Sequence, residues 1–221
     1  MIPLYDTIRS RRFPLVNWIL ILANAAVFWF ELRISEAALQ NFIFTWGLVP
    51  AQFLTAPADA WLTIFTSMFL HGGWFHLLSN MWVLYIFGDN IEDRMGAAPY
   101  LFFYLLSGAA AALLQTFIAQ DSSVPMIGAS GAIAGVLGAY LISYPGARIA
   151  SLVPILFIFT IVDVPAVLFL IFWFVSQLYS GLFAIQGGSA SGIAWWAHIG
   201  GFIFGLVMVS FFGRRTVYQR Y

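Results

Sequence analysis

Ser130 stands in the tetrapeptide Gly128-Ala129-Ser130-Gly131, just ahead of a short apolar stretch. The other side chains equipped for chemistry are three histidines, His71, His76 and His198, together with Asn80. A serine hydroxyl becomes a nucleophile when an imidazole nitrogen within about 2.6–3.2 Å accepts its proton. His76 and Asn80 are four positions apart, so on a helix they share one face and can donate hydrogen bonds toward one point, as an oxyanion requires. Hydrogen bonding between helices is the competing use of the same His and Asn. No carboxylate accompanies them: Asp121 and Asp163 fall in segments between the apolar stretches. A third member like the Asp of a triad is thus not evident, and a Ser-His dyad is the simpler model. With zero Cys, a thiolate nucleophile, a disulfide framework and a Cys-ligated metal are excluded. A three-histidine metal site is the weaker alternative, because H-E-x-x-H is absent and Asn80 is a poor zinc ligand. Neither a metal nor any other cofactor is expected.

The chain around these residues has 221 positions, of which 62% are hydrophobic and 8% charged. Soluble domains are roughly half apolar and a quarter charged, so this composition describes a polytopic membrane protein in contact with a lipid bilayer. Nine basic residues, all Arg, balance nine acidic ones, and with no basic face no nucleic acid partner is expected. Spans of about 20 apolar residues are predicted at 15–31, 74–91, 99–119, 130–144, 165–183 and 194–212. Arg9, Arg11 and Arg12 precede the first span, Arg94 follows the second, Arg148 the fourth, and Arg214, Arg215 and Arg220 the sixth. Only Arg33 falls on the other side. By the positive-inside rule both termini, 1–14 and 213–221, are cytoplasmic, and the expected location is the plasma membrane. Met1 to Arg12 followed by the first span reads as a retained anchor rather than a cleaved signal.

The expected fold class is an all-α bundle of six transmembrane helices forming a single domain over 1–221. The first outer loop, rich in Phe and Trp, lies in the membrane interface. Within it Ser35 caps a short helix begun by Glu36, and Pro50 and Pro57 limit its length. Trp46, Trp61 and Trp74 fit an aromatic belt.

The fourth span is the anomaly. From Gly131 to Tyr144 there are about 14 residues, or about 21 Å of helix, against about 30 Å of hydrocarbon. Ser130 is thereby set below the outer surface, and the non-helical loop 124–129 at that depth must be buried in protein or line a watery cavity. Gly131, Ala134, Gly135 and Gly138 form a small-residue surface on this span, and Ala197, Gly201 and Gly205 form another on the sixth. Such stripes permit close helix packing, which explains them without any chemistry. Ser130 opens one stripe and His198 stands beside the start of the other, so close packing would also bring the two together. A transporter is disfavoured, because the halves show no repeat and only one span is interrupted.

Three ordered motifs give the chain a resemblance to the rhomboid intramembrane serine proteases over nearly its whole length. His71-Gly-Gly-Trp-Phe-His76-Leu-Leu-Ser-Asn80 is similar to that family's H-x4-H-x3-N, Gly128-Ala-Ser130-Gly131 to its G-x-S-G, and Ala197-His198-Ile-Gly-Gly201-Phe-Ile-Phe-Gly205 to its A-H-x2-G-x3-G. Gly88 to Gly96, with Glu92 and Arg94, resembles the charged run after the second span. The resemblance implies Ser130 as nucleophile, His198 as base and acid, His76 and Asn80 as oxyanion donors, Gly128 as the flexible partner in the nucleophile turn and His71 in a supporting role. It implies cleavage of membrane-embedded or juxtamembrane bonds in transmembrane protein substrates, favouring small, helix-destabilising residues near the cut. A non-catalytic relative that binds transmembrane helices for quality control is the alternative. Span five, with Phe169, Phe172, Trp173 and Phe174, faces lipid on composition alone and is a candidate substrate gate only by the same analogy. Two positions depart from the pattern: Leu62 follows Trp61 where many relatives have Arg, and Ala134 stands where many carry a Tyr that stacks on the catalytic His. Nothing in the sequence fixes an oligomeric state.

Overall fold

A computed structural model of the chain describes residues 1–155, 158–185 and 193–213. Strand β1 (Ile2–Asp6) leads into helix α1 (Leu15–Glu31), which follows Pro14. Helix α2 (Glu36–Trp46) starts as its sequence requires: the Ser35 hydroxyl accepts from the Ala38 N–H at 3.4 Å. Pro50 and Pro57 do more than end it. Each opens a helix of its own, α3 (Pro50–Thr55) and α4 (Pro57–Ala60), because a proline at the first helical position loses no hydrogen bond. A further turn, α5 (Thr63–Thr66), completes this segment.

The six predicted apolar stretches are all helical. Besides α1 they are α6 (Trp74–Met95), α7 (Ala97–Ile118), α8 (Ser130–Ser143), α9 (Ala166–Ile185) and α10 (Trp195–Phe212), with α9 preceded in sequence by strands β2 (Arg148–Ile155) and β3 (Ile158–Pro165). Among the described residues three helices, α7, α9 and α10, are long and apolar enough to cross a membrane alone, and α1 and α8 are shorter apolar helices. The 22-residue α6 carries Asp89, Glu92, Asp93 and Arg94 near its end. Arg214, Arg215 and Arg220, with the rest of the tail after Gly213, lie outside the described residues.

The fold is not all-α. β1, β2 and β3 form an antiparallel sheet in that order, pairing Ile2 with Leu152 and Arg148 with Pro165. The predicted loop between the fourth and fifth spans is thus largely strand. Its Ile, Val, Thr and Phe residues favour a pleated surface, and the N-terminal segment supplies a third strand.

Helix α8 is the centre of the bundle. Every residue from Gly131 to Tyr140 is buried, against α10 and α7 above all and then α6. Small residues permit this. A Cβ on Gly201 would strike the Gly131 carbonyl oxygen, one on Gly205 the Gly135 carbonyl oxygen, and one on Gly138 the Phe202 carbonyl oxygen. On its other flank Gly131 leaves room for Ala111 of α7, and Gly135 for Ser107. The predicted stripes on α8 and α10 therefore do meet each other. Around them Leu84, Phe87, Ile91, Phe103, Tyr104, Val136 and Phe202 fill the core.

Polar side chains tie the strand end of the bundle together. Glu92 accepts from the Val16 N–H at 3.0 Å and the Asn17 N–H at 2.7 Å, capping α1 from a different helix. Tyr100 donates to Asn17 at 2.8 Å, Asn90 donates to Asp6 at 2.9 Å, and the Tyr140 hydroxyl also donates to Asp6.

Candidate active site

Ser130 is the first residue of α8, so its backbone N–H is one of the four at a helix start that have no acceptor within the helix. His198 is in the first turn of α10. The glycine contacts that draw these helices together bring Ser130 Oγ to 2.8 Å from His198 Nε2. Both residues are partly exposed, and both line a cavity of about 520 Å³ that also takes in His76, Asn80, Gly128 and Trp195.

The loop before Ser130 is held by its neighbours, as non-helical backbone in an apolar setting must be. Met126 exchanges two backbone hydrogen bonds with Leu48, at 2.7 and 3.1 Å, and the Gly128 N–H donates to the Ser67 carbonyl at 2.8 Å. At φ +116° Gly128 occupies backbone space closed to most side chains. A Cβ there would also lie 2.5 Å from His76 Nε2. Glycine thus both allows the turn and leaves His76 and Asn80 facing the loop.

His76 Nδ1 accepts from the Gly72 N–H at 3.4 Å, which leaves Nε2 as the protonated nitrogen, on the Gly128 side. The Asn80 amide nitrogen is 3.1 Å from His71 Nε2. His71 precedes α6 and is buried, its ring edge-on to His76 with centroids 5.0 Å apart. Its backbone N–H donates to the Glu31 carboxylate at 3.3 Å. His71 therefore holds Asn80 from behind and is not among the residues lining the cavity. Among the described residues no three His, Asp or Glu side chains gather as a metal site would require.

Two features of the site are absent from the sequence reading. Gln177 of α9 is buried, and its Oε1 is 2.8 Å from His198 Nδ1. The signal available was the one amide in a largely apolar span, a residue type that hydrogen-bonds across membrane helices. The second feature is the aromatic setting of His198. Ala134, at the position of the expected stacking Tyr, is fully buried in the α8 core, and the rings beside the imidazole are Trp173 of α9 and Trp195 of α10, each with its centroid 6.0 Å away. Leu62 is exposed, as is Trp61.

Residues 58–215 match the family model described as "Rhomboid domain". The chain belongs to the rhomboid family. It is a multi-pass membrane protein whose environment is a lipid bilayer. Its relatives include "Rhomboid-like protein 11, chloroplastic" of Arabidopsis thaliana, 32% identical over 110 residues that make up 50% of this chain and 39% of that protein. "Putative rhomboid protease YdcA" of Bacillus subtilis is 30% identical over 131 residues, 59% of this chain and 63% of YdcA. "Rhomboid protein 1, mitochondrial" of Saccharomyces cerevisiae is 32% identical over 104 residues, 45% of this chain and 29% of the yeast protein. This rhomboid chain thus covers less than two thirds of the length of each.

Proposed function

We propose that this rhomboid is an intramembrane serine endopeptidase that cuts membrane-embedded or juxtamembrane peptide bonds of transmembrane protein substrates. The observation that carries the proposal is the 2.8 Å contact between Ser130 Oγ and His198 Nε2, inside a cavity large enough for an extended peptide segment. Ser130 Oγ attacks the scissile carbonyl carbon while its proton passes to His198 Nε2. Negative charge then develops on the carbonyl oxygen, where the Ser130 backbone N–H, His76 Nε2–H and an Asn80 amide hydrogen can donate to it. His198 returns the proton to the leaving amine, and water, activated by the same imidazole, hydrolyses the acyl-enzyme. His71 and Gly128 act indirectly, one by orienting Asn80 and the other by shaping the turn.

The same proposal includes six membrane-crossing helices in one domain over 1–221 with both termini on the cytoplasmic side of the plasma membrane. Its support is the placement of Arg9, Arg11, Arg12, Arg94 and Arg148 relative to the helices. Relatives named mitochondrial and chloroplastic show that family members also occupy organelle membranes, so cell fractionation decides the compartment. On this topology the 14-residue α8 stops short of the outer surface, and Ser130 sits within the membrane but in reach of water.

The test uses the full chain in liposomes with a transmembrane substrate. Ser130→Ala and His198→Ala are each expected to abolish cleavage, and cleavage undiminished in Ser130→Ala would refute the assignment. Binding of transmembrane helices by a protein that cuts none of them would instead favour the non-catalytic reading.

A further inference from the structure

Gln177 touches His198 on the nitrogen that faces away from Ser130. Which atom of the amide faces the imidazole is decided by its other contacts. Gln177 Nε2 lies 3.3 Å from the Trp173 carbonyl oxygen and 2.9 Å from Ser176 Oγ. The carbonyl can only accept, and the Ser176 hydroxyl already donates to that carbonyl at 2.6 Å, so both neighbours require a donor from Gln177. The NH₂ group must therefore point toward them. The oxygen is left facing His198 Nδ1, which must carry a proton to meet it. Nε2 of a neutral imidazole is then bare, and the hydrogen between His198 and Ser130 belongs to the serine.

We propose that Gln177 is a positioning residue that sets the tautomer of His198, its carbonyl oxygen accepting from Nδ1–H and so keeping Nε2 free to take the Ser130 proton. This rests on the reading of Ser130 and His198 as nucleophile and base. When the proton moves to Nε2, no bond to Gln177 changes: its oxygen still faces Nδ1–H, now part of an imidazolium. A neutral amide does this without placing a second charge in an apolar bundle, where a carboxylate would have to be desolvated. The link also crosses helices. Gln177 is one of only five buried residues on α9, so the orientation of the base depends on a helix otherwise held by few contacts.

The test is nitrogen-15 NMR of the full, histidine-labelled chain in detergent, with the three imidazoles assigned through His71→Gln and His76→Gln variants. It is paired with cleavage kinetics of the same samples and a thermal melt to verify folding. The wild type is expected to show His198 protonated at Nδ1 and unprotonated at Nε2. Gln177→Met, which keeps the length but removes the acceptor, is expected to give a mixture of tautomers, with kcat lowered about tenfold or more and KM unchanged. Gln177→Glu, which keeps an acceptor oxygen at the same reach, is expected to restore the Nδ1–H tautomer and to recover most of the lost kcat. Unaltered His198 signals and unaltered kcat in folded Gln177→Met, or a folded Gln177→Glu as impaired in tautomer and kcat as Gln177→Met, would overturn the proposal. The NMR readout does not depend on proteolysis: a Gln177-dependent tautomer in a chain that cuts nothing would support the positioning role while refuting the protease assignment.

Discussion

At its C-terminal end α8 presents Tyr140 and Tyr144, whose hydroxyls reach the Asp6 carboxylate and the Asn90 carbonyl, and at its N-terminal end it presents Ser130, whose hydroxyl reaches His198. Both ends place hydroxyls against titratable or carbonyl groups in an apolar bundle. The difference lies in what surrounds them. At the tyrosine end, Asp6 also takes Asn90, Asn17 takes Tyr100, and Glu92 caps α1, so the polar groups bind one another across β1, α1, α6, α7 and α8. At the serine end the hydroxyl has one side-chain partner and faces a cavity, with the His76 nitrogen bared by the absence of a side chain at Gly128. Polar groups closed on each other stabilise. Polar groups closed on one side and open on the other are available to a reactant.

Substitutions should therefore separate along α8. The largest effect is expected between the two ends, at Gly205, where a Cβ would collide with backbone that cannot swing aside. Gly205→Leu should cost about 3 kcal/mol or more and also abolish cleavage, since α10 cannot then hold His198 against Ser130; a folded, active variant would show that the close contact is dispensable. Next comes Glu92→Ala, which uncaps α1 and should lower unfolding free energy by about 2 kcal/mol, while kcat per folded molecule stays at the wild-type value. A selective loss of kcat there would break the division between the ends. The smallest effect concerns pH. Burial holds the Asp6 carboxyl up at about 6, although the hydrogen bond from Tyr140 pulls it down. A carboxyl raised on folding contributes stability that is complete below its unfolded value of 3.8 and is lost as pH rises through about 6. Melting temperature in detergent should accordingly fall between pH 4 and 7, and Asp6→Asn should flatten that fall; an identical slope in the variant would remove Asp6 as its source.

Much of this was legible in the sequence, for identifiable reasons. Helix positions follow from runs of apolar residues, and the predicted 15–31 and 130–144 stand against Leu15–Glu31 and Ser130–Ser143. Gly201 and Gly205 announced a close helix contact because only small residues leave a backbone uncovered. The sheet was hidden because Ile2 pairs with Leu152, 150 positions further along the chain, and a short apolar strand between two apolar stretches has no periodicity of its own. Gln177 was hidden differently. Its type was visible, but its partner lies 21 positions away on another helix, and only packing shows that the amide oxygen reaches Nδ1. Trp173 and Trp195 likewise lie beside the His198 imidazole only because α9 and α10 pack side by side, which spacing along the chain does not show.

The central claim is that His198 makes Ser130 reactive, and covalent labelling reads this without any knowledge of the substrate. The full chain in detergent is treated with a fluorophosphonate and the adduct is located by peptide mass. The expected result is one adduct, on Ser130, lost in His198→Ala even though the serine is still present. No adduct in the wild type under conditions that label a control serine hydrolase, or equal labelling in His198→Ala, would contradict it.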